Sequence, residues 1–432
     1  MNMADSQRVA SALELLGYQH AAHPEQADVV VLNTCVVRES AEQKAVGRLT
    51  SLKSLKTANP QVVINLMGCM VGTRQDDSLH QRFPYVDVFS PPSDPRPLVE
   101  FLGGSARAHV ALDRSQAEQA VEAGWELPLP ERLRGSASVF LPAVLGCSHA
   151  CSYCVIPLKR GREESRPPQQ ILVEARTLAQ QGVKEITLLG QIIDRYGLDQ
   201  PGYPSLAGLL RQLHEIEGIQ RIRFLTSHPN WFKPDLLDAL AELPKLMPHI
   251  ELPVQAGSDR VLNAMRRGYT AAQFVELVSS IRARLGEISF ATDLIVGFPG
   301  ETDADFQSSL DVLRATHPDM THAARYSARP GTLSARSMPD DVPDSEKWRR
   351  FRAVEQLQET ISTEINAAYL GRVVPVLFEG KSKARWFGRT PTNKLVFAES
   401  TQDPRGNILD VKINWTGPWS LVGSLEEAQD DK

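Results

Sequence analysis

Three cysteines crowd one short stretch, Gly146-Cys147-Ser148-His149-Ala150-Cys151-Ser152-Tyr153-Cys154, in the spacing C-x3-C-x2-C. Three thiolates on one loop can ligate three irons of a four-iron, four-sulfur cluster and leave the fourth iron open. An open iron can take the amino and carboxylate groups of S-adenosylmethionine (SAM). An electron from the cluster then breaks a carbon–sulfur bond and yields a 5′-deoxyadenosyl radical. Two other chemistries use the same residues. A structural zinc site asks for four ligands, and His149 would have to supply the fourth from inside the loop, where its reach is poor. An electron-transfer cluster would be closed by a fourth cysteine, and none lies nearby.

The remaining two cysteines, Cys35 and Cys69, end apolar runs: 28–35 and 62–69 are continuous hydrophobic stretches with a charged, helical segment at about 40–58 between them. Such runs read as buried parallel strands, and ligands gather at the carboxyl ends of parallel strands. Five cysteines is an odd number for a disulfide framework, so metal or catalytic thiolates are expected instead.

A sequence of 432 residues, 42% hydrophobic and 23% charged, suits a globular protein of two to four domains. No apolar run approaches the ~18 residues of a membrane span, and Met1-Asn2-Met3-Ala4-Asp5 has no basic segment leading into an apolar one. The expected location is cytoplasmic, without a membrane partner. A net charge of −5 argues against a whole-surface grip on nucleic acid but allows a local basic patch.

The elements that must position these residues follow from periodicity. Val9, Ala12, Leu13 and Leu16 share one face of a helix over 6–17, with Asp5 or Ser6 to cap it. The mixed stretch 106–136 reads as a linker between an N-terminal α/β domain (1–105) and a second unit (137–365). In that unit six strand candidates (139–146, 185–191, 221–227, 249–255, 288–296 and 322–327) alternate with helical patterns. This is an α/β arrangement that closes toward a partial (β/α)6 barrel. After a charged helix at about 343–369, short strands at 373–379, 386–389, 394–399 and 408–414 suit a small β-barrel over 366–432. Between 370 and 425 this unit carries eight Lys or Arg against four Asp or Glu. With Trp386, Phe387, Trp415 and Trp419 it suits RNA backbone and base contacts, and Lys381, Lys383, Arg385 and Arg389 are the candidate contacts; a solvated lysine-rich surface is the plainer reading.

Barrel enzymes keep their sites at the carboxyl ends of strands, which puts Gln191 and Gln255 in position to hydrogen-bond SAM. Asp293 and Gly297 lie where the fifth strand runs into a Gly/Pro turn whose backbone can approach adenine, although such a turn also needs glycine for geometry alone. Lys159, Arg160, Arg162 and Arg166 follow the triplet and are candidates for phosphate or the SAM carboxylate, or for a solvated basic loop. His228 before Pro229 could be a substrate contact, but a lone histidine at a strand end is more often a satisfied structural residue.

The chain resembles the radical SAM methylthiotransferases. The matching residues run nearly end to end: Asn33-Thr34-Cys35, Met67-Gly68-Cys69, Cys147 to Cys154 with Pro157 and Arg160-Gly161, Glu164-Ser165-Arg166, Leu189-Gly190-Gln191, Thr226-Ser227-His228-Pro229, Leu252-Pro253-Val254-Gln255, Asp293 through Glu301, and Tyr326 through Thr332. The resemblance implies an N-terminal methylthiotransferase domain, a radical SAM partial barrel and a C-terminal TRAM domain. It implies two [4Fe–4S] clusters, one on Cys147, Cys151 and Cys154 that generates the radical and one on Cys35 and Cys69 that donates sulfur. SAM is the cofactor, and the expected substrate is carbon 2 of an N6-isopentenyladenosine beside the anticodon of tRNA. A reducing electron donor and a sulfur source are implied partners, and a monomer is expected.

The family holds its second cluster with three cysteines, the first in a Cys-Gln-Met-Asn stretch. Here the chain opens at Met1-Asn2-Met3-Ala4-Asp5-Ser6, and that cysteine would lie two residues earlier, so a start further upstream, with a first strand, is expected. Ile192-Ile193-Asp194-Arg195-Tyr196-Gly197 leans toward relatives that act on N6-threonylcarbamoyladenosine or on a ribosomal-protein aspartate. Thr226-Ser227-His228-Pro229 and Arg329-Pro330-Gly331-Thr332 lean back toward the isopentenyladenosine enzymes. A non-catalytic iron–sulfur RNA-binding protein is the alternative of another class.

Overall fold

The computed structural model describes residues 1–74, 77–104 and 129–426. The linker expected over 106–136 therefore lies mostly outside the described residues.

The N-terminal unit is a three-stranded parallel sheet, Val29–Thr34, Val63–Gly68 and Val88–Ser90 in that order. The middle strand is buried at every position, as its unbroken apolar run requires. The run ending at Cys35 is a half-buried edge strand instead, because nothing pairs with its outer side. The first helix starts earlier than its apolar face announces, at Asn2–Leu15, and Asp5 lies inside it, fully buried, rather than capping it.

The second unit lays six parallel strands in chain order: Ser138–Pro142, Glu185–Leu189, Arg221–Phe224, His249–Glu251, Ser289–Val296 and Met320–Arg325. They form two three-stranded sheets that meet where Ile222 bridges Leu246. The first strand stops at Pro142, and the chain then makes a short pair, Val144–Leu145 against Glu164–Ser165, which opens the cysteine loop. The fourth strand is only three residues long, so Gln255 sits beyond it, in the left-handed region at φ 74°.

Helices on the outside begin where their sequences cap them. Ser205 accepts from the Gly208 N–H, and Thr270–Gln273 and Thr302–Asp305 form reciprocal capping boxes. The long helix Asp344–Ala367 packs on the last two strands and leads into the third unit.

That unit is a closed five-stranded barrel of Val373–Ser382, Arg385–Arg389, Leu395–Glu399, Ile408–Thr416 and Leu421–Leu425, with the fifth strand inserted between the third and fourth. The fifth strand, short and broken by Gly423, carries no alternation strong enough to announce it. Trp386 is buried in the core of this barrel with its indole N–H on the Ser400 carbonyl, so it is no stacking platform for a base. Trp415 and Trp419 are exposed.

Two arginines of the third strand dock this barrel. Arg221 donates to the Arg389 and Pro375 carbonyls at 2.7 and 3.1 Å, and Arg223 to the Thr390 and Pro391 carbonyls at 2.8 Å each. Arg223 also pairs with Glu185 at 3.0 Å, both side chains 3% exposed. Removing one member of a buried pair strands the other charge. Arg223→Met should therefore cost about 3–5 kcal/mol in chemical denaturation, and the double variant E185Q/R223M should recover most of that loss. Equal losses in both would show that the pair does not govern the docking.

Candidate metal centre

The cysteine loop runs from the short Val144–Leu145 strand to the helical turn Ile156–Lys159. Gly146 turns it through φ 62°, and a Cβ there would collide with the Arg162 carbonyl oxygen, so glycine is required by close approach. The returning segment is then bound: Cys147 N–H donates to the Gly161 carbonyl at 3.1 Å, and Glu163 N–H to the Ser148 hydroxyl at 3.1 Å. Ser152 ties the far side to the fourth strand's following turn, its N–H on Met265 O at 3.1 Å and its hydroxyl on Ala264 O at 2.8 Å.

Cys147 is buried, Cys151 and Cys154 are half-buried, and all three are free thiols. Burial pushes Cys147 up to about 11 and Cys154 up to about 12, and the charge on Cys151 adds to both. Burial also raises Cys151, but the His149 ring at 3.2 Å and the Arg267 guanidinium at 3.3 Å outweigh it and bring this thiol down to about 7. The three sulfurs thus act on one another electrostatically. Among the described residues no three His, Cys, Asp or Glu side chains converge as closely as a single ion demands. A four-iron cluster asks for something else, three thiolates on three separate irons, and that is the donor set of this loop. His149 is turned to the Cys151 sulfur, with Nδ1 at 3.2 Å.

Four buried polar atoms beside the loop have no protein partner: Asp194 Oδ1, Ser227 Oγ, His228 Nε2 and Trp231 Nε1. The His228 ring lies 4.6 Å from that of His149, and Trp231 packs on the group formed by Cys147, Ile156 and Ile192. His228 Nδ1 accepts the Asn230 N–H, so the ring proton sits on Nε2, and burial holds the ring neutral by pushing its pKa down to about 2. Asp194 accepts the His228 N–H at 2.9 Å through Oδ2, while burial pushes its carboxyl up to about 7. Buried polar groups are rarely left unpaired without a ligand to pair them. The amino, carboxylate and ribose groups of SAM are of the right chemistry, so the residues here fit both cluster and cofactor. Sequence reading missed Asp194, Ser227 and Trp231 and read His228 as satisfied. The only signal was their place just past the second and third strands.

Of the expected SAM contacts, Gln191 follows the second strand next to Ile192, and Gln255 lies beyond the fourth, its N–H on the Asp293 carbonyl at 2.9 Å. Burial raises the Asp293 carboxyl against the lowering by His322, Arg38 and Arg267, and its charge helps burial push Glu251 up to about 7. Gly297 is explained by packing: a Cβ would collide with the Lys347 stem, and its N–H donates to Glu301 at 2.5 Å. Arg160 and Arg166 are held by protein partners. Arg160 pairs with Asp5, and Arg166 with Glu174 at 2.7 Å and the Pro142 carbonyl at 2.6 Å.

Cys35 and Cys69 follow adjacent strand ends, with Cys69 N–H on the Thr34 carbonyl at 3.0 Å, and Cys69 shares a buried cluster with Val155, the residue after the triplet. Two thiols do not hold a four-iron cluster by themselves. On the C-terminal barrel Lys381, Lys383 and Arg385 are exposed, with Lys381 Nζ 4.8 Å from the Trp386 ring centre. Arg389, 39% exposed at the side chain, faces Glu379 at 3.6 Å, and its backbone carbonyl accepts from Arg221.

Family models match in the same order as these units: the uncharacterized protein family UPF0004 over residues 1–90, the radical SAM superfamily over 141–313 and the TRAM domain over 367–425. A solved radical SAM methyltransferase, TsrM from Kitasatospora setae, shares the fold at TM-score 0.52 and 14% identity, over 87% of this chain and 71% of its own. Domain set and donor loop together define a radical SAM enzyme with a C-terminal TRAM domain. Proteins named tRNA-2-methylthio-N(6)-dimethylallyladenosine synthase are similar over almost the whole chain. That of Chloroflexus aurantiacus is 46% identical over 98% of this chain and 89% of its own, and that of Dehalococcoides mccartyi 44% over 98% and 96%. The chain belongs to this synthase family.

In metal-free protein Cys151 should therefore react with iodoacetamide first of the three, with a rate that rises through about pH 7, while Cys147 and Cys154 stay slow below pH 10. Arg267→Met should move the Cys151 profile upward; an unshifted profile would remove the guanidinium from this role.

Proposed function

We propose that this chain attaches a methylthio group to carbon 2 of an N6-dimethylallyladenosine beside the anticodon of tRNA. The observation that carries the reading is the three-thiol loop bordered by four buried, unpartnered polar atoms, in a chain whose relatives carry that activity in their names along nearly its full length. Those names favour the isopentenylated base over the threonylcarbamoyl one.

Cys147, Cys151 and Cys154 would hold the cluster. When loaded, cluster and SAM supply a one-electron cleavage that yields a hydrogen-abstracting radical. His149 and Arg267 bring the Cys151 thiol down to about 7, and the neutral His228, Trp231 and Ser227 would donate to the cofactor's oxygens without adding charge. Gln191, Gln255 and Asp293 line the strand ends from which the base would be met. Cys35 and Cys69 are the proposed place of the sulfur donor, a second cluster that needs a further ligand and is renewed by an outside sulfur source. An external reductant feeds the first cluster. Lys381, Lys383 and Arg385, with the exposed Trp415 and Trp419, are the proposed grip on tRNA.

In a host lacking its own synthase, this chain should convert N6-dimethylallyladenosine of tRNA to its 2-methylthio form, read by nucleoside mass spectrometry, and Cys147→Ala should abolish both the product and 5′-deoxyadenosine. SAM cleavage without tRNA product would sink the substrate; no cleavage at all would favour the non-catalytic RNA binder. Trp415→Ala and Trp419→Ala should each weaken tRNA binding by about 1–3 kcal/mol while leaving tRNA-free SAM cleavage unchanged.

A further inference from the structure

Arg160, six residues after Cys154, reaches out of the radical SAM unit into the N-terminal sheet. Its Nη2 donates to Asn2 Oδ1 at 2.6 Å and Asp5 Oδ2 at 3.0 Å, and its Nη1 to the Ser93 hydroxyl at 3.3 Å. The Cys69 thiol lies within electrostatic reach of the same guanidinium, whose charge works against the rise that burial imposes on it. Arg160 and Asp5 are 4% and 0% exposed at the side chain. Ser93, held at φ 61°, donates to the other Asp5 oxygen at 2.6 Å, so the turn after the third strand is drawn into the same knot. Lys159 adds a second tie, with Nζ 3.4 Å from the Met70 carbonyl and its stem packed under Gly72.

The helical turn Ile156–Lys159, with Arg160 as its C-cap, carries this residue pair away from the triplet, and Val155 before it shares a buried cluster with Cys69 and Met70. One short segment therefore carries the radical-site thiols at one end and is tied at the other to the N-terminal unit around Cys69. Such a fork cannot be replaced by lysine, which offers one point of charge where Arg160 meets three partners. We infer that Arg160 is a positioning residue that locks the Cys69 segment to the cysteine loop, so that radical generation and sulfur transfer face one substrate at a fixed separation. This rests on the function proposed above.

The test uses the full chain, reconstituted anaerobically with iron, sulfide and SAM, as wild type, R160K and the charge-neutral double variant D5N/R160Q. The double variant leaves no lone buried charge and guards against a simple folding failure. Both should cleave SAM within about twofold of wild type, yet form about tenfold or less methylthiolated tRNA per 5′-deoxyadenosine, since a misplacement near 1 Å can cost ~100-fold in a positioned reaction. Amide hydrogen exchange of residues 69–72 should rise about tenfold while that of 185–189 stays unchanged. An unaltered product-to-cleavage ratio, or a proportional fall of both, overturns the lock. Should wild type itself make no methylthio product, the functional reading fails separately. Hydrogen exchange then decides the lock alone, with unchanged exchange at 69–72 refuting it.

Discussion

Three sulfurs within eight residues repel one another once deprotonated, and much of the molecule is arranged to hold them together regardless. The loop is short enough for this only because Gly146 can turn where a side chain would strike Arg162. The countercharge comes from far along the chain. Arg267 places one nitrogen on Cys151 and fixes the other two on the Tyr269 hydroxyl and the Pro253 carbonyl, so the end of the fourth strand sets where the charge stands. Tyr269 in turn donates to Val254, and the arrangement is closed by backbone.

Around that cation burial shifts two titratable neighbours toward their neutral forms. His228 and Asp194 lie deep enough that burial discourages their ions, and Trp231 and Ser227 have none to form. A site meant to hold a sulfonium cofactor and a cluster gains from donors and acceptors of fixed direction and no net charge, because stray ions in a low-dielectric cleft would act over long range. Arg195, the other nearby cation, is answered by Glu163 at 2.7 Å and lies flat over Trp231 at 4.3 Å. Two left-handed residues other than glycine, Thr226 and Gln255, mark the ends of the third and fourth strands at this mouth, where local strain tends to gather.

Much of this was readable in the amino-acid order. The six barrel strands and their alternation with helices follow from apolar runs, and the spacing of the triplet singled it out as a loop able to offer three thiolates. What stayed hidden shares one physical cause. Trp386 and Trp415 look alike in sequence, but one faces into the barrel and the other out, which depends on pairing register and closure. The strand Leu421–Leu425 is recognisable only once the third strand is there to pair with it. Asp194 and Trp231 have ordinary local contexts, and their lack of partners exists only in three dimensions.

Arg221 and Arg223 were hidden for a further reason. Arginines of the barrel core reach both of its neighbours: Arg160 and Arg329 meet side chains of the N-terminal unit, and Arg221 and Arg223 meet carbonyls of the C-terminal barrel. A guanidinium offers five donors in a rigid plane and satisfies them on backbone carbonyls as readily as on carboxylates. Carbonyls belong to every residue, so a sequence shows the donor without its acceptors. Such joints fix orientation well because several directed bonds must hold at once, and they tolerate variation in the residues that supply the carbonyls. A radical SAM core can in this way keep two appended domains in register through a few directed bonds.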